Sequence, residues 1–174
     1  MREQASRELT YAEVGATAAT MPAGYRHDRW QEDLGRFDAD RFARAADALR
    51  RWEIQRGAGL TIFPGEAVEP DMTFALVIRL PVGFALAAGR VVYVVDQPGN
   101  FGFAYGTLPS HPERGEEAFH VVRDGDQLSF RVTAFSRPRH PAARLGAPVA
   151  RAMQLRVTRA YMTAMRHVAD DGRP

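Results

Sequence analysis

A chain of 174 residues with a hydrophobic fraction of 45% and a charged fraction of 25% has the size and balance of a globular domain with a substantial core. All 23 of its basic residues are Arg, set against 21 acidic residues, so the formal charge is only +2; the pI near 9.4 reflects guanidinium groups that never titrate and carries little weight for nucleic-acid binding. The lack of Lys excludes Schiff-base and P-loop lysine chemistry, and the lack of Cys excludes thiol nucleophiles, disulfides and cysteine-ligated metals.

The N-terminus, MREQASRELTYAE, is polar and lacks the apolar centre of a signal peptide, so a cytoplasmic location is expected. Leu9 to Thr17 reads as a short edge strand. Met21 to Arg36 holds Pro22, Gly24 and Gly35 and reads as loop or a short helix. Asp38 to Trp52 is the first clear helix. Asp38 can cap it, Asp40 suits its positive end, and Phe42, Ala45, Ala46 and Leu49 share a face.

Strands dominate from Leu60 to Ser136: Thr73 to Leu80, Phe84 to Ala88, Arg90 to Val95 and Phe101 to Leu108. Arg79, Pro81, Gly83, Gly89 and Arg90 interrupt the apolar run from Met72 to Val95, so no membrane span is expected. Glu117 to Arg123 and Gln127 to Phe135 form the clearest hairpin, joined through Asp124-Gly125. A Pro- and Arg-rich connection, Arg137 to Pro148, leads to a second long helix over Pro148 to Val168, with an apolar stripe of Val149, Met153, Val157, Ala160, Ala164 and Val168. There are no repeats. The segregated order of helix, strands and C-terminal helix predicts one α+β domain over residues 1–174.

The stretch Tyr105 to Phe119, YGTLPSHPERGEEAF, concentrates the polar chemistry. Pro109 and Pro112 stiffen it, so His111 and three Glu are expected on a rigid connection between strands. A carboxylate beside an imidazole can tune it for proton transfer, which makes His111 with Glu113 or Glu116 the catalytic candidates. The plainer alternative is that Glu116 or Glu117 pairs with Arg137 or Arg139. The spacing of these groups with His120 matches no ligand motif, so neither a metal nor a cofactor is expected. The hydroxyls of Tyr105 and Thr107 can orient a ligand, or simply be satisfied in a core. Arg137, Arg139, His140 and Arg144 form a basic cluster that suits an anion or an RNA contact, with a solvated loop as the ordinary reading.

This string resembles the signature of the domain-of-unknown-function family nineteen-ninety, a group of small bacterial and plant proteins. The resemblance continues in Leu9-Thr10-Tyr11, Val14-Gly15-Ala16-Thr17, Ala134-Phe135-Ser136-Arg137-Pro138 and Arg144-Leu145-Gly146. The element order is similar to that of the helix-grip superfamily of lipid-transfer and polyketide-cyclase-like proteins. That likeness implies a helix-grip-like α+β fold, a curved antiparallel sheet packed around a long C-terminal helix, with a cavity for a small lipophilic molecule. The pocket candidates are then Tyr93, Phe103, Tyr105, Phe130, Val132, Met153, Val157 and Tyr161, with Thr107, His111 and Arg137 for polar selection. Three functions follow in order: binding of a small lipophilic ligand; an enzyme of cyclase or hydrolase type using His111; and an interaction or RNA-contacting protein acting through Arg137 to Arg144. No DNA partner is expected.

Overall fold

The computed structural model describes residues 6–79, 83–139 and 147–170. Seven strands run in the chain order β1 (Arg26–Arg36), β2 (Thr61–Phe63), β3 (Thr73–Arg79), β4 (Phe84–Gln97), β5 (Asn100–Thr107), β6 (Glu113–Asp124) and β7 (Gln127–Pro138). Helices α1 (Ala39–Arg50) and α2 (Glu53–Gly57) separate β1 from β2, and α3 (Ala147–Asp170) follows β7. The strands form one sheet in the order β1-β7-β6-β5-β4-β3-β2, and every neighbouring pair is antiparallel. This is the helix-grip α+β architecture, with the curved sheet around α3.

Local chemistry explains the ends of these elements. The Asp38 side chain accepts from the Arg41 N–H at 2.8 Å and caps α1, whose Ala45, Ala46, Ala48 and Leu49 are buried. The β6–β7 hairpin pairs Asp124 with Gln127, and Gly125 takes the positive φ of 60° that its two-residue loop needs. Arg41 and Arg44 of α1 donate to the Ala169 carbonyl at 3.3 and 3.2 Å, satisfying an acceptor at the negative end of α3. Arg151 of α3 holds Asp28 of β1 at 2.6 and 2.8 Å, and Arg166 holds Glu32, so the helix is clamped to the sheet's first edge strand.

Beneath α3 the core is aromatic. Trp52 packs on Phe74 and Phe103 with ring centroids 4.6 and 4.9 Å away, Phe119 stacks with Phe103 at 5.4 Å, and Tyr161 meets Phe119 edge-on at 5.3 Å. The convex face carries the N-terminal segment as a strap. Tyr11 lies against Gly106, where a Cβ would stand 2.3 Å from the tyrosine hydroxyl, and packs edge-on with Phe135.

Several local expectations need correction. Within Met21 to Arg36 only residues 21–25 are loop: the rest is β1, an eleven-residue strand whose Asp28, Trp30 and Glu32 pair with Ala134, Val132 and Phe130. Leu9 to Thr17 forms no strand; Thr10 donates a single backbone bond to Thr107 at 3.0 Å, and the remaining contacts are made by side chains. Phe84 to Ala88 and Arg90 to Val95 are one strand with a register shift between Val91 and Tyr93. Glu113, Glu116 and Glu117 sit within β6, not on the connection before it. Residues 140–146, which include His140, Arg144 and Leu145-Gly146, lie outside the described residues.

Candidate functional site

Between the sheet and α3 lies a cavity of about 250 Å³. Its walls divide by chemistry. Leu76 and Ile78 of β3, Ala85 and Ala87 of β4, and Met153 and Val157 of α3 form an apolar side. Strand alternation places them there: Leu76 pairs with Ala87 and Ile78 with Ala85, so all four share one face, while Val77 and Leu86 point the other way.

The polar side is assembled from five elements. Arg26, at the start of β1, donates to Gln154 of α3 at 2.6 Å and to Ser136 of β7 at 3.0 Å, and lies 3.2 Å from Asp28 and 3.5 Å from Glu113. Tyr105 of β5 donates its hydroxyl to Glu117 of β6 at 2.5 Å, across a directly opposed strand pair. Tyr161 and Thr158 reach the same space from α3.

Burial dominates the electrostatics here. It pushes the Glu117 carboxyl up to about 7; the Tyr105 hydroxyl bond pulls the other way, and Glu113 and Asp28 add to the rise. The hydroxyls of Tyr105 and Tyr161 are driven well above the ordinary tyrosine value by burial and by the nearby Glu117. Burial also works to raise Asp28, but the guanidinium groups of Arg151 and Arg26 outweigh it and hold that carboxyl below its usual value. His111 is pulled down to about 4 by burial, against the opposing effect of Glu113. Its Nδ1 stands 3.0 Å from the Glu113 backbone N–H, from which the neutral ring accepts when its proton is on the other nitrogen, and 3.2 Å from the Glu113 carbonyl.

The candidates from sequence fall into three groups. Tyr105, Thr107, His111, Glu113, Glu116, Met153, Val157 and Tyr161 all border the cavity. Phe103, Phe130 and Val132 are buried in the core beside it. Tyr93 and Arg137 lie on the convex face: Tyr93 bonds Thr17 Oγ1 at 3.0 Å, and the Arg137 guanidinium sits 4.4 Å over the Tyr25 ring.

Contacts within the first group are equally specific. Neither the Glu113 nor the Glu116 carboxylate touches His111; the backbone of Glu113 does. Glu116 is 2% exposed and turned to the strap, accepting from Tyr11 at 2.6 Å, Gly15 N at 2.7 Å, Thr17 N at 3.0 Å and the Thr17 hydroxyl. The Thr107 hydroxyl meets Thr10 Oγ1 at 2.5 Å and accepts from Gly115 N at 3.0 Å. The alternative pairing of Glu116 or Glu117 with Arg137 or Arg139 is not formed, because these carboxyls are engaged by Tyr11, Thr17 and Tyr105.

Sequence reasoning named Glu117 only as a pairing candidate for Arg137 or Arg139, and did not name Arg26 or Gln154 as site residues. Glu117 had a usable signal: it shares strand parity with Phe119 and Val121, the inward residues of β6. Arg26 had none, since its segment read as loop.

Comparison with known proteins supports the architecture. The chain is 37% identical to a UPF0548 protein of Deinococcus radiodurans, over 92% of this chain and 85% of that protein. Among solved structures it resembles a hypothetical protein of Helicobacter pylori, with a TM-score of 0.61 and 13% identity over 93% of this chain and 96% of that one. It also resembles the Zhui aromatase/cyclase of Streptomyces sp. R1128, with a TM-score of 0.57 and 14% identity over 84% and 94%. At these identities the structural likeness concerns the fold. The model of the domain of unknown function DUF1990 matches residues 10–164, so the chain belongs to that family.

Proposed function

We propose that the protein binds a small lipophilic ligand in the cavity between the sheet and α3. The carrying observation is the cavity's division into an apolar side and a compact polar side. Ligand sites commonly combine mostly apolar walls with a few placed polar groups, over volumes of about 300–1,000 Å³. At about 250 Å³ this cavity lies just below that range and suits a compact molecule. The aromatic core around Trp52, Phe103 and Phe119 is closely packed, so the open space beside it is local. A neighbour of similar fold named as an aromatase/cyclase is compatible with a small-molecule role.

A second reading, an enzyme using the same space, draws on the Tyr105–Glu117 hydrogen bond and on His111 in the wall. A carboxyl near neutrality can exchange a proton with a bound substrate.

Native mass spectrometry of protein purified from its own host, followed by denaturing extraction, tests both. A co-purifying lipophilic mass is expected. Its chemical conversion during incubation would favour the enzyme. Bare protein in repeated preparations would count against a tightly held ligand.

A further inference from the structure

We propose that the cavity selects a lipophilic amine, whose ammonium group pairs with Glu117. This rests on the reading of the cavity as a ligand site and specifies the class of ligand.

Among the described residues, the polar side carries one unmatched negative charge whenever Glu117 is ionised. Arg26 and Arg151 are matched by Asp28 and Glu113: Arg26 reaches both carboxyls, at 3.2 and 3.5 Å, and Arg151 takes Asp28 at 2.6 and 2.8 Å. Glu117 stands outside this set. Among the described residues no guanidinium forms an ion pair with it, and its hydrogen bond comes from Tyr105 to one oxygen, Oε2. Among the described residues no hydrogen bond reaches its other oxygen, and the residue lines the cavity.

Among the described residues, no side chain facing Glu117 supplies a cation. Tyr105 stands opposite on β5, and Ala134 opposite on β7. Asp28 approaches from β1 and Glu113 lies along β6, both adding negative charge. Tyr161 faces it from α3. His111, in the turn before β6, has its ring kept neutral by burial. A half-buried carboxyl among acids and hydroxyls favours its protonated form, and loss of solvation pushes this one up to about 7.

An ammonium group would supply the missing positive charge. Its donors suit the open Glu117 oxygen, and the Tyr161 hydroxyl at the cavity wall can accept another. The hydrocarbon part would lie along Ile78, Ala85, Met153 and Val157. A carboxylate-ended ligand would instead meet Glu113 and Glu117, beside an Arg26 already engaged by Asp28 and Glu113.

Isothermal titration calorimetry with octylamine, octanol and octanoate at pH 6, 7 and 8 tests the assignment. Octylamine binding requires ionised Glu117, while the amine itself stays protonated to about pH 10. Its affinity is therefore expected to rise several-fold from pH 6 to 8 and to exceed that of octanol by roughly tenfold at pH 8, the worth of about 1.4 kcal/mol. Glu117→Gln is expected to keep octanol binding and to lose both the amine preference and the pH slope. Octanol or octanoate binding as tightly as octylamine, or an amine preference that survives Glu117→Gln, would overturn the amine assignment and leave the cavity reading intact. No binding by any of the three would overturn both. If Glu117→Gln does not fold, the pH profile of the unaltered protein decides, since an affinity that is flat or falls toward pH 8 contradicts the pairing.

Discussion

Two titrating side chains on the polar side of the cavity push stability in opposite directions with pH. Glu117 has a folded value of about 7, above the ordinary carboxyl value of about 4.3. It therefore favours folding most below about pH 4, and that contribution is lost as pH rises through 7. His111 has a folded value of about 4, below the ordinary imidazole value of about 6.5. Its contribution is complete above about 6.5 and is lost as pH falls through 4. Denaturant unfolding of Glu117→Gln should show a stability gain relative to the unaltered chain that grows from pH 5 to pH 8, with a ceiling of about 3 kcal/mol. His111→Gln should flatten the loss of stability between pH 6.5 and pH 4. Curves parallel to that of the unaltered chain would show that neither group is held as described. At this scale the sequence was informative but not sufficient. The string from His111 to Glu117 carried the right groups, yet composition does not say which of two adjacent glutamates faces inward. Glu116 turned out to the strap and Glu117 in to the cavity, because successive residues of a strand face opposite ways.

Among the elements, the N-terminal strap depends on one side chain. Glu116 gathers Tyr11, the Gly15 and Thr17 amides and the Thr17 hydroxyl, so this carboxylate does the joining that a strand ladder would otherwise do. Charge-assisted bonds of this kind contribute about 1.5–3 kcal/mol each before coupling. Glu116→Gln replaces one accepting oxygen by a donor that faces other donors. It should cost on the order of 2–4 kcal/mol. Amide exchange should accelerate first in residues 9–18, with β5 and β6 still protected; uniform acceleration through the sheet would contradict the strap's separate dependence on Glu116. The long elements were legible because their signals are periodic: α1 has a capping Asp and an apolar face, and the β6–β7 hairpin has its Asp-Gly turn. β1 was not legible, because polar residues such as Asp28 and Glu32 occupy its helix-facing side, where Arg151 and Arg166 neutralise them. An inward face that is charged erases the alternation by which a strand is read. Tyr93 shows the same limit on a smaller scale. The shift between Val91 and Tyr93 puts two residues two apart on opposite faces, so Val91 is buried inside while Tyr93 reaches Thr17 outside.

For the molecule as a whole, the helix-grip topology places α3 across a curved sheet, and the space left beneath it is where function is proposed. Its polar end draws on β1, β5, β6, β7 and α3, elements that only the folded topology brings together. That explains why a segment-by-segment reading found the cavity's apolar helix face but missed Arg26 and Gln154. The most direct test is a fluorescence titration with N-phenylnaphthylamine, a neutral lipophilic dye, on the unaltered chain and on Val157→Trp. Val157 borders the cavity, so a tryptophan there fills it from the helix side. Such overpacking costs about 1–3 kcal/mol, and the fold is to be checked by circular dichroism and cooperative unfolding. The account predicts saturable binding of about one dye per unaltered chain, and loss of that binding in a folded Val157→Trp. Equal binding by both proteins would place the dye outside the cavity, and no binding by the unaltered chain would show that the space does not admit a lipophilic guest; either result would contradict the account.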